Sequence, residues 1–307
     1  MLKPRALRPG DRIALVSPAS PFARDEFDLG VAELRSLGFE AVYDDSVFAR
    51  HGYVSGAPDL RARALSAAWS DPSIAALIAV RGGYGSAQLL PLLERDALRA
   101  CPKVFVGYSD ITTLLAFLTT RCGIVAFHGP MIDQKISRGP DAYDRTSFLN
   151  AVCRPEPMGE LAPAGLDTVR AGEARGPLFG GTLTQLLASF GTPYAFDPPS
   201  GFVLFLDEVG ERPYRLDRMV TQLGQSGLLA KASAVVIGEL PRCDEPGSGI
   251  TGRSVMAELL RDFPGPVLIG FPSGHTTGPV TTLPFGVTAR VIGGAKARVV
   301  IEESAVQ

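Results

Sequence analysis

A chain of 307 residues that is 46% hydrophobic buries a substantial core, and its length favours two domains over one. Charged residues make up 20% and nearly balance to a net charge of -2, with no basic stripe or block of like charge, which argues against a nucleic-acid partner and for a small molecule. Cys101, Cys122, Cys153 and Cys243 lie far apart without CxxC spacing, so they carry no metal-ligand pattern and fit reduced thiols in a cytosolic protein.

The first apolar stretch, Arg12 to Ser17, is too short for a signal sequence, is followed at once by Pro18, and reads as a strand. No run approaches the roughly 20 apolar residues of a membrane span, so a soluble, cytoplasmic protein is expected. A helical pattern from about Asp25 to Leu37 closes at Gly38 and leads into the extended FEAVYDD, the strand, helix, strand rhythm of a parallel sheet. A helix from Pro58 to Trp69, the strand IAALIAV, the loop RGGYGS (Arg81 to Ser86), the helix AQLLPLLE, a strand ending at Ser109, a helix from Ile111 and the strand IVAFHGP complete an α/β domain over residues 1–135. Periodicity fades over residues 136–170, where Pro and Gly are scattered, and the segment reads as an interdomain connection.

Residues 171–307 supply GPLFGGTLTQLLASFG, the strand FVLFLDEVGERPY, a helix from about Tyr214 to Leu223, the strand ASAVVIGEL, the helix SVMAELLRDF, the strand PVLIGFPSGH and two extended segments ending at ARVVIEE. The predicted fold class is α/β: an N-terminal parallel-sheet, Rossmann-like domain and a smaller C-terminal α/β domain, with the active site in the cleft between them.

Functional residues of such sheets gather at the carboxyl ends of strands, where RGGYGS and GYSD both fall. Ser109 sits on the turn between the strand Val104 to Val106 and the helical face of Ile111, Leu114, Leu115 and Leu118. The turn makes it either a helix N-cap or a nucleophile held out of the fold. RGGYGS has neither a P-loop pattern nor the third glycine of a dinucleotide fingerprint, and its better reading is a backbone amide donor beside Ser109. Three histidines bound the search for a base: His51 in a loop, His128 at a strand end, and His275 in a Gly- and Pro-crowded loop suited to holding an imidazole firmly. Asp207 and Glu208 leave the end of an apolar strand on opposite faces, so only one of them enters a given cleft. A solvated strand end paired with Arg215 or Arg218 is the plainer alternative.

Taken together, RGGYGS, GYSDIT, FHGPM, LFGGTLTQL, FLDEVGERPYRLDRM and GHTTGPVTTLPFG resemble the LD-carboxypeptidase family of serine peptidases, which includes muropeptide LD-carboxypeptidases and microcin-immunity peptidases. The matches run in family order from about Ile13 to Ile301. The resemblance implies a Ser, Glu, His triad in which Ser109 attacks and His275 is the general base. The family glutamate follows the apolar strand, where this chain reads Leu206-Asp207-Glu208. Asp207 is the aligned residue, and Glu208 requires a one-residue change of register.

The chemistry agrees, because a serine hydroxyl needs an imidazole to take its proton and the imidazole needs an acid to fix its tautomer. The Asp110 N–H, at a helix start, and that of Gly83 (or Gly82) would form the oxyanion hole. The implied reaction releases terminal D-alanine from an L-centre in muropeptide tetrapeptides during cell-wall recycling. Arg81, at the lip of the glycine loop, is the candidate cation for the substrate carboxylate. No metal or organic cofactor is called for, and a homodimer is implied.

A rival within the family hydrolyses aminoacyl-nucleotide conjugates. That activity calls for an exposed aromatic platform, and the lone Trp69 lies in a helical pattern. A rival of another class is a non-catalytic two-domain binding protein in which Ser109 merely caps a helix.

Overall fold

Apolar runs bounded by turns become the strands of two sheets in the computed structural model, which describes residues 1–307. Along the first part of the chain β1 (Arg12–Val16), α1 (Arg24–Ser36), β2 (Glu40–Val42), α2 (Pro58–Ser70), β3 (Ile74–Ala79), α3 (Arg95–Ala100), β4 (Val104–Gly107), α4 (Thr112–Ala116) and β5 (Ala126–His128) alternate. The five strands are parallel, in the order β5-β4-β3-β1-β2. Every residue of β3 is buried, as a strand covered on both faces requires. α1 buries Phe27, Val31 and Leu34, one stripe at helical spacing, and Pro58 opens α2 where its missing N–H loses nothing.

Two readings of this half change. AQLLPLLE forms a 3-10 helix, Ser86–Leu92, because Pro91 has no N–H for an α-helical ladder. The helix after Ser109 is short: α4 passes into a wider turn, Phe117–Arg121, where the Thr119 and Thr120 hydroxyls donate back to the carbonyls of Leu115 and Ala116.

The segment expected to be a bare connection instead carries α5 (Arg145–Cys153), β6 (Gly159–Leu161) and β7 (Asp167–Arg170). Asp144 caps α5 by accepting the Ser147 N–H at 3.1 Å, and Phe148, Ala151 and Val152 enter the core. β6 and β7 become the two edges of the second sheet. Strands of three and four residues are too short for alternation to announce them.

The rest of the chain forms β8 (Gly172–Thr182), α6 (Leu183–Ala188), β9 (Phe202–Asp207), α7 (Pro213–Gln225), α8 (Leu228–Lys231), β10 (Ala232–Gly238), α9 (Gly252–Leu259), β11 (Val267–Phe271), β12 (Leu283–Phe285), β13 (Thr288–Gly293) and β14 (Arg298–Ile301). The second sheet has eight strands, β6-β14-β13-β8-β9-β10-β11-β7, and is wider than the first. β8 is its seam, antiparallel to β13 over its first half and parallel to β9 over its second.

β12 departs from its neighbours in sequence. It crosses to the first sheet and pairs antiparallel with β5, Leu283 opposite His128 and Phe285 opposite Ala126. One contiguous core accordingly includes Phe127 and Phe148 together with Val203, Phe205, Phe271 and Phe285, while a second lies between β9, β10, β11 and the helices α6, α7 and α9. The carboxyl ends of β4 and β5 thereby face those of β9, β10 and β11. No helix is long and apolar enough to cross a membrane.

Candidate functional site

Three strand ends carry the sequence candidates, and the ring of Tyr108, next to Ser109, stands 5.1 Å from that of His275. Ser109 follows β4, Asp207 ends β9, and His275 follows β11. Ser109 adopts a left-handed backbone, φ 63°, a conformation that strains any residue with a Cβ by about 1 kcal/mol or more. It caps neither the 3-10 turn Ser109–Ile111 nor α4, whose cap positions are Tyr108 and Ile111. Strain without a capping role marks a serine displayed for another purpose.

The turn is braced from the next loop. Ser86 donates its N–H to the Asp110 carboxylate at 2.8 Å and its hydroxyl to the Asp110 carbonyl at 2.6 Å. The Asp110 carboxylate thus caps the 3-10 helix Ser86–Leu92. Burial pushes its carboxyl pKa up, against the pull of these bonds. The glycine loop lies directly on the serine: a Cβ on Gly82 would stand 3.0 Å from Ser109 Oγ and 3.4 Å from the Asp110 nitrogen. Gly83, at φ 95°, has no room for a side chain because Ser20 fills the place of its Cβ.

Asp207 is fully buried and accepts from His275 Nδ1 at 2.8 Å, from the His275 backbone N–H at 3.0 Å and from Thr182 Oγ1 at 3.1 Å. Such an acceptor keeps the proton on Nδ1 and leaves Nε2 as a base. Gly274 makes the approach feasible, since a Cβ there would collide with the Asp207 carboxylate and the His128 ring. Burial works to raise the Asp207 pKa, but the attraction and hydrogen bonds of His275 outweigh it and hold it below the usual carboxylate value. Burial likewise works against the His275 cation, yet Asp207 prevails and raises the imidazole pKa. The ring bonds Asp207 and not Ser109.

Glu208 points the other way, as alternation requires. It accepts from the Thr184 N–H at 2.9 Å, the Thr184 hydroxyl at 2.5 Å and the Val209 N–H at 3.0 Å, tying down the start of α6. Neither acid pairs with an arginine, and Arg215 is engaged by Glu211. His128 is wholly buried, its Nδ1 3.0 Å from Ser273 Oγ and its ring stacked 5.3 Å from that of Phe285, and burial pulls its pKa down to about 4. It is a neutral packing residue behind the Asp207 and His275 pair. His51 is an exposed loop residue.

A cavity of about 500 Å³ opens beside His275, with Tyr108, Gln134, Lys135, Pro241 and Arg242 in its walls. Lys135, Arg138 and Arg242 outnumber its one acid, Asp141. The remaining left-handed non-glycine residues, Gln134, Leu240 and Arg242, belong to the two loops that form these walls, and backbone strain of this kind clusters at functional sites. Arg81 is not among the wall residues. Its Nε lies 3.5 Å from the buried Asp133 and its Nη1 donates to the Pro21 carbonyl at 3.2 Å, so its charge is already matched. Sequence reasoning passed over Arg242, although its position just beyond the strand ASAVVIGEL was a usable signal. It also missed an exposed aromatic pair beside the glycine loop: Tyr53 and Tyr84, 71% and 49% exposed, with ring centres 5.6 Å apart.

Residues 13–129 match the LD-carboxypeptidase N-terminal domain and residues 175–291 the LD-carboxypeptidase C-terminal domain. A putative carboxypeptidase of Streptomyces coelicolor is 38% identical over 299 residues, 95% of this chain and 93% of its own. The murein tetrapeptide carboxypeptidase of Pseudomonas aeruginosa is 31% identical over 295 residues, 92% of this chain and 93% of its own. The microcin C7 self-immunity protein MccF of Escherichia coli is 30% identical over 308 residues, 91% of this chain and 89% of its own. A structure of MccF in the apo state superposes with a TM-score of 0.91 at 27% identity, covering 100% of both chains. Other structures of MccF are complexes with aspartyl sulfamoyl adenosine and with adenosine monophosphate.

Proposed function

Since this chain belongs to the LD-carboxypeptidase family, we propose that it is a serine carboxypeptidase that cleaves the L-to-D bond of muropeptide tetrapeptides and releases D-alanine. The observation that carries the reading is the 2.8 Å bond between His275 Nδ1 and the fully buried Asp207, with the His275 ring 5.1 Å from that of Tyr108, which precedes the strained Ser109.

In this mechanism Ser109 Oγ attacks the carbonyl while His275 Nε2 takes its proton and then delivers it to the departing D-alanine nitrogen. Water, deprotonated by the same nitrogen, hydrolyses the acyl-enzyme. Asp207 stabilises the imidazolium. The Asp110 and Gly83 N–H groups receive the oxyanion, each contributing about 3 kcal/mol to the transition state. Arg242 takes the terminal carboxylate in preference to Arg81, because it lines the cavity and has no acid partner. The reading also places the protein in the cytoplasm, as a homodimer working in cell-wall recycling.

The test is mass spectrometry of purified protein with three substrates. The D-terminal tetrapeptide should be cleaved, its L-terminal epimer about a hundredfold more slowly, because a misplacement of roughly 1 Å at the carbonyl has that effect, and the pentapeptide ending in D-Ala-D-Ala hardly at all. Equal rates on both epimers overturn the substrate assignment.

A second reading, hydrolysis of aminoacyl-nucleotide conjugates, gains support from the Tyr53 and Tyr84 pair, which supplies the exposed aromatic surface that Trp69 does not. Comparing kcat/KM for such a conjugate and for the tetrapeptide decides between them. The non-catalytic alternative loses its main support, since Ser109 caps no helix.

A further inference from the structure

Arg61 lies on α2 and is only 4% exposed, yet no carboxylate touches it. Its Nε donates to the Gly56 carbonyl at 3.0 Å, its Nη1 to the carbonyls of Pro18 at 2.5 Å and Gly85 at 2.9 Å, and its Nη2 to the Gln88 side chain. A buried cation without an acid partner is costly by several kcal/mol unless hydrogen bonds replace its water. Here the replacements come from separate segments: the turn after β1, the turn before α2, the glycine loop and the 3-10 helix that follows it.

These same segments fix the loop lying on Ser109. The Ser20 N–H donates to the Gly82 carbonyl at 3.1 Å, and the Ser20 hydroxyl receives the Tyr84 N–H at 3.1 Å and donates to the Tyr53 carbonyl at 3.0 Å. Ser86 is tied to Asp110. Between these ties stands Gly85, at φ 126°, where a Cβ would come within 2.9 Å of Arg61 Nη1. The Arg61 charge also attracts the Asp110 carboxylate across the loop.

We propose that Arg61 is a positioning residue for the oxyanion hole: by holding the Pro18, Gly56 and Gly85 carbonyls together, its guanidinium sets the distance between the Gly83 N–H and Ser109. The proposal rests on the reading of Gly83 as an oxyanion donor. Without the fork, Gly85 loses its anchor and the donor shifts with the loop. A displacement of roughly 1 Å lowers turnover about a hundredfold, while substrate binding in the cavity beside His275 is untouched.

The experiment compares Arg61→Ala and Arg61→Lys with the unaltered chain in steady-state hydrolysis of the tetrapeptide, with circular dichroism reporting the fold. Turnover by Arg61→Ala is expected to fall about a hundredfold with KM nearly constant. Guanidinium ion should restore it several-fold, and urea at the same concentration should not. A route for the ion exists, because Arg61 forms part of the wall of a separate cavity of about 480 Å³ between β1, β2 and α2. Arg61→Lys, a point charge unable to span diverging carbonyls, should fold yet remain at least about tenfold slow. Normal turnover by Arg61→Lys, or losses that track unfolded protein and resist guanidinium, overturn the proposal. Ser109→Ala is run alongside. If it retains turnover, the serine reading fails, and the oxyanion hole that Arg61 would position fails with it.

Discussion

Replacing Asp207 by Asn is the sharpest test of the proposed triad because it changes charge and proton position while keeping size. The native carboxylate accepts the His275 Nδ1 proton at 2.8 Å and the His275 backbone N–H at 3.0 Å. An asparagine oxygen can keep the backbone bond, but its NH2 then faces Nδ1 and must donate to it. The imidazole proton is driven to Nε2, the atom that has to receive the Ser109 proton. The imidazolium of the transition state also loses a counter-charge at contact distance, roughly 4 kcal/mol at an effective dielectric near 20.

Together these effects predict a fall in kcat of about 10⁴, or ~5.5 kcal/mol, with the thermal transition little changed. Glu208→Gln should behave in the opposite way. It stays within a few-fold in kcat and loses about 1 kcal/mol of stability through its weakened hold on Thr184. The assay is steady-state tetrapeptide hydrolysis with a urea melt of each variant. An Asp207→Asn protein within tenfold of the parent refutes the assignment, and the reverse ranking moves the acid to Glu208.

Three further outcomes are expected. His275 must be neutral to act as a base, and its pKa is raised above the ordinary 6.5, so kcat/KM should climb with pH through a midpoint above 6.5 and move to lower pH in Asp207→Asn; a midpoint below 6.5 in the parent contradicts the pairing. Ser109→Gly should abolish hydrolysis yet raise stability by up to about 1 kcal/mol in a urea melt, since glycine accepts a φ of 63° without strain. Arg242→Gln should raise KM about tenfold or more for the free-acid tetrapeptide, the worth of one charge-assisted hydrogen bond, while leaving its carboxamide analogue unaffected; equal effects on both would remove Arg242 from carboxylate recognition.

What was legible in the sequence follows from which features are local. β3, β9 and β10 are apolar runs long enough to declare themselves, and the residue types after β3 and at the end of β9 draw the eye to RGGYGS and to Asp207 and Glu208, whereas those after β10 did not do so for Arg242. Alternation along β9 said that Asp207 and Glu208 face apart but not which faces the histidine. That choice belongs to the register of β9 against β8, where Asp207 stands opposite Thr182 and shares its hydroxyl. β6, β7 and β12 are strands only by virtue of distant partners. The cationic wall of Lys135, Arg138 and Arg242 comes from aperiodic loops that meet only in space. Tyr53 and Tyr84 are neighbours because Ser20 holds both loops, a relation no local pattern records.

The crossing of β12 into the first sheet has a consequence for how the chain is made. β5 lies in the first half of the sequence, but the strand that covers its edge is Leu283–Phe285. At about 5–20 residues per second, a growing chain presents an uncovered β5 for on the order of ten seconds, the condition under which unpaired strands seek other chains. Fragments that stop before β12 should aggregate for the same reason. The loop that carries His275 hangs between β11 on one sheet and β12 on the other, so it acquires its shape only when both anchors exist. Ser109 and His275 therefore take up their relative positions only after the chain has been made through β12, and any chemistry that needs both begins no earlier.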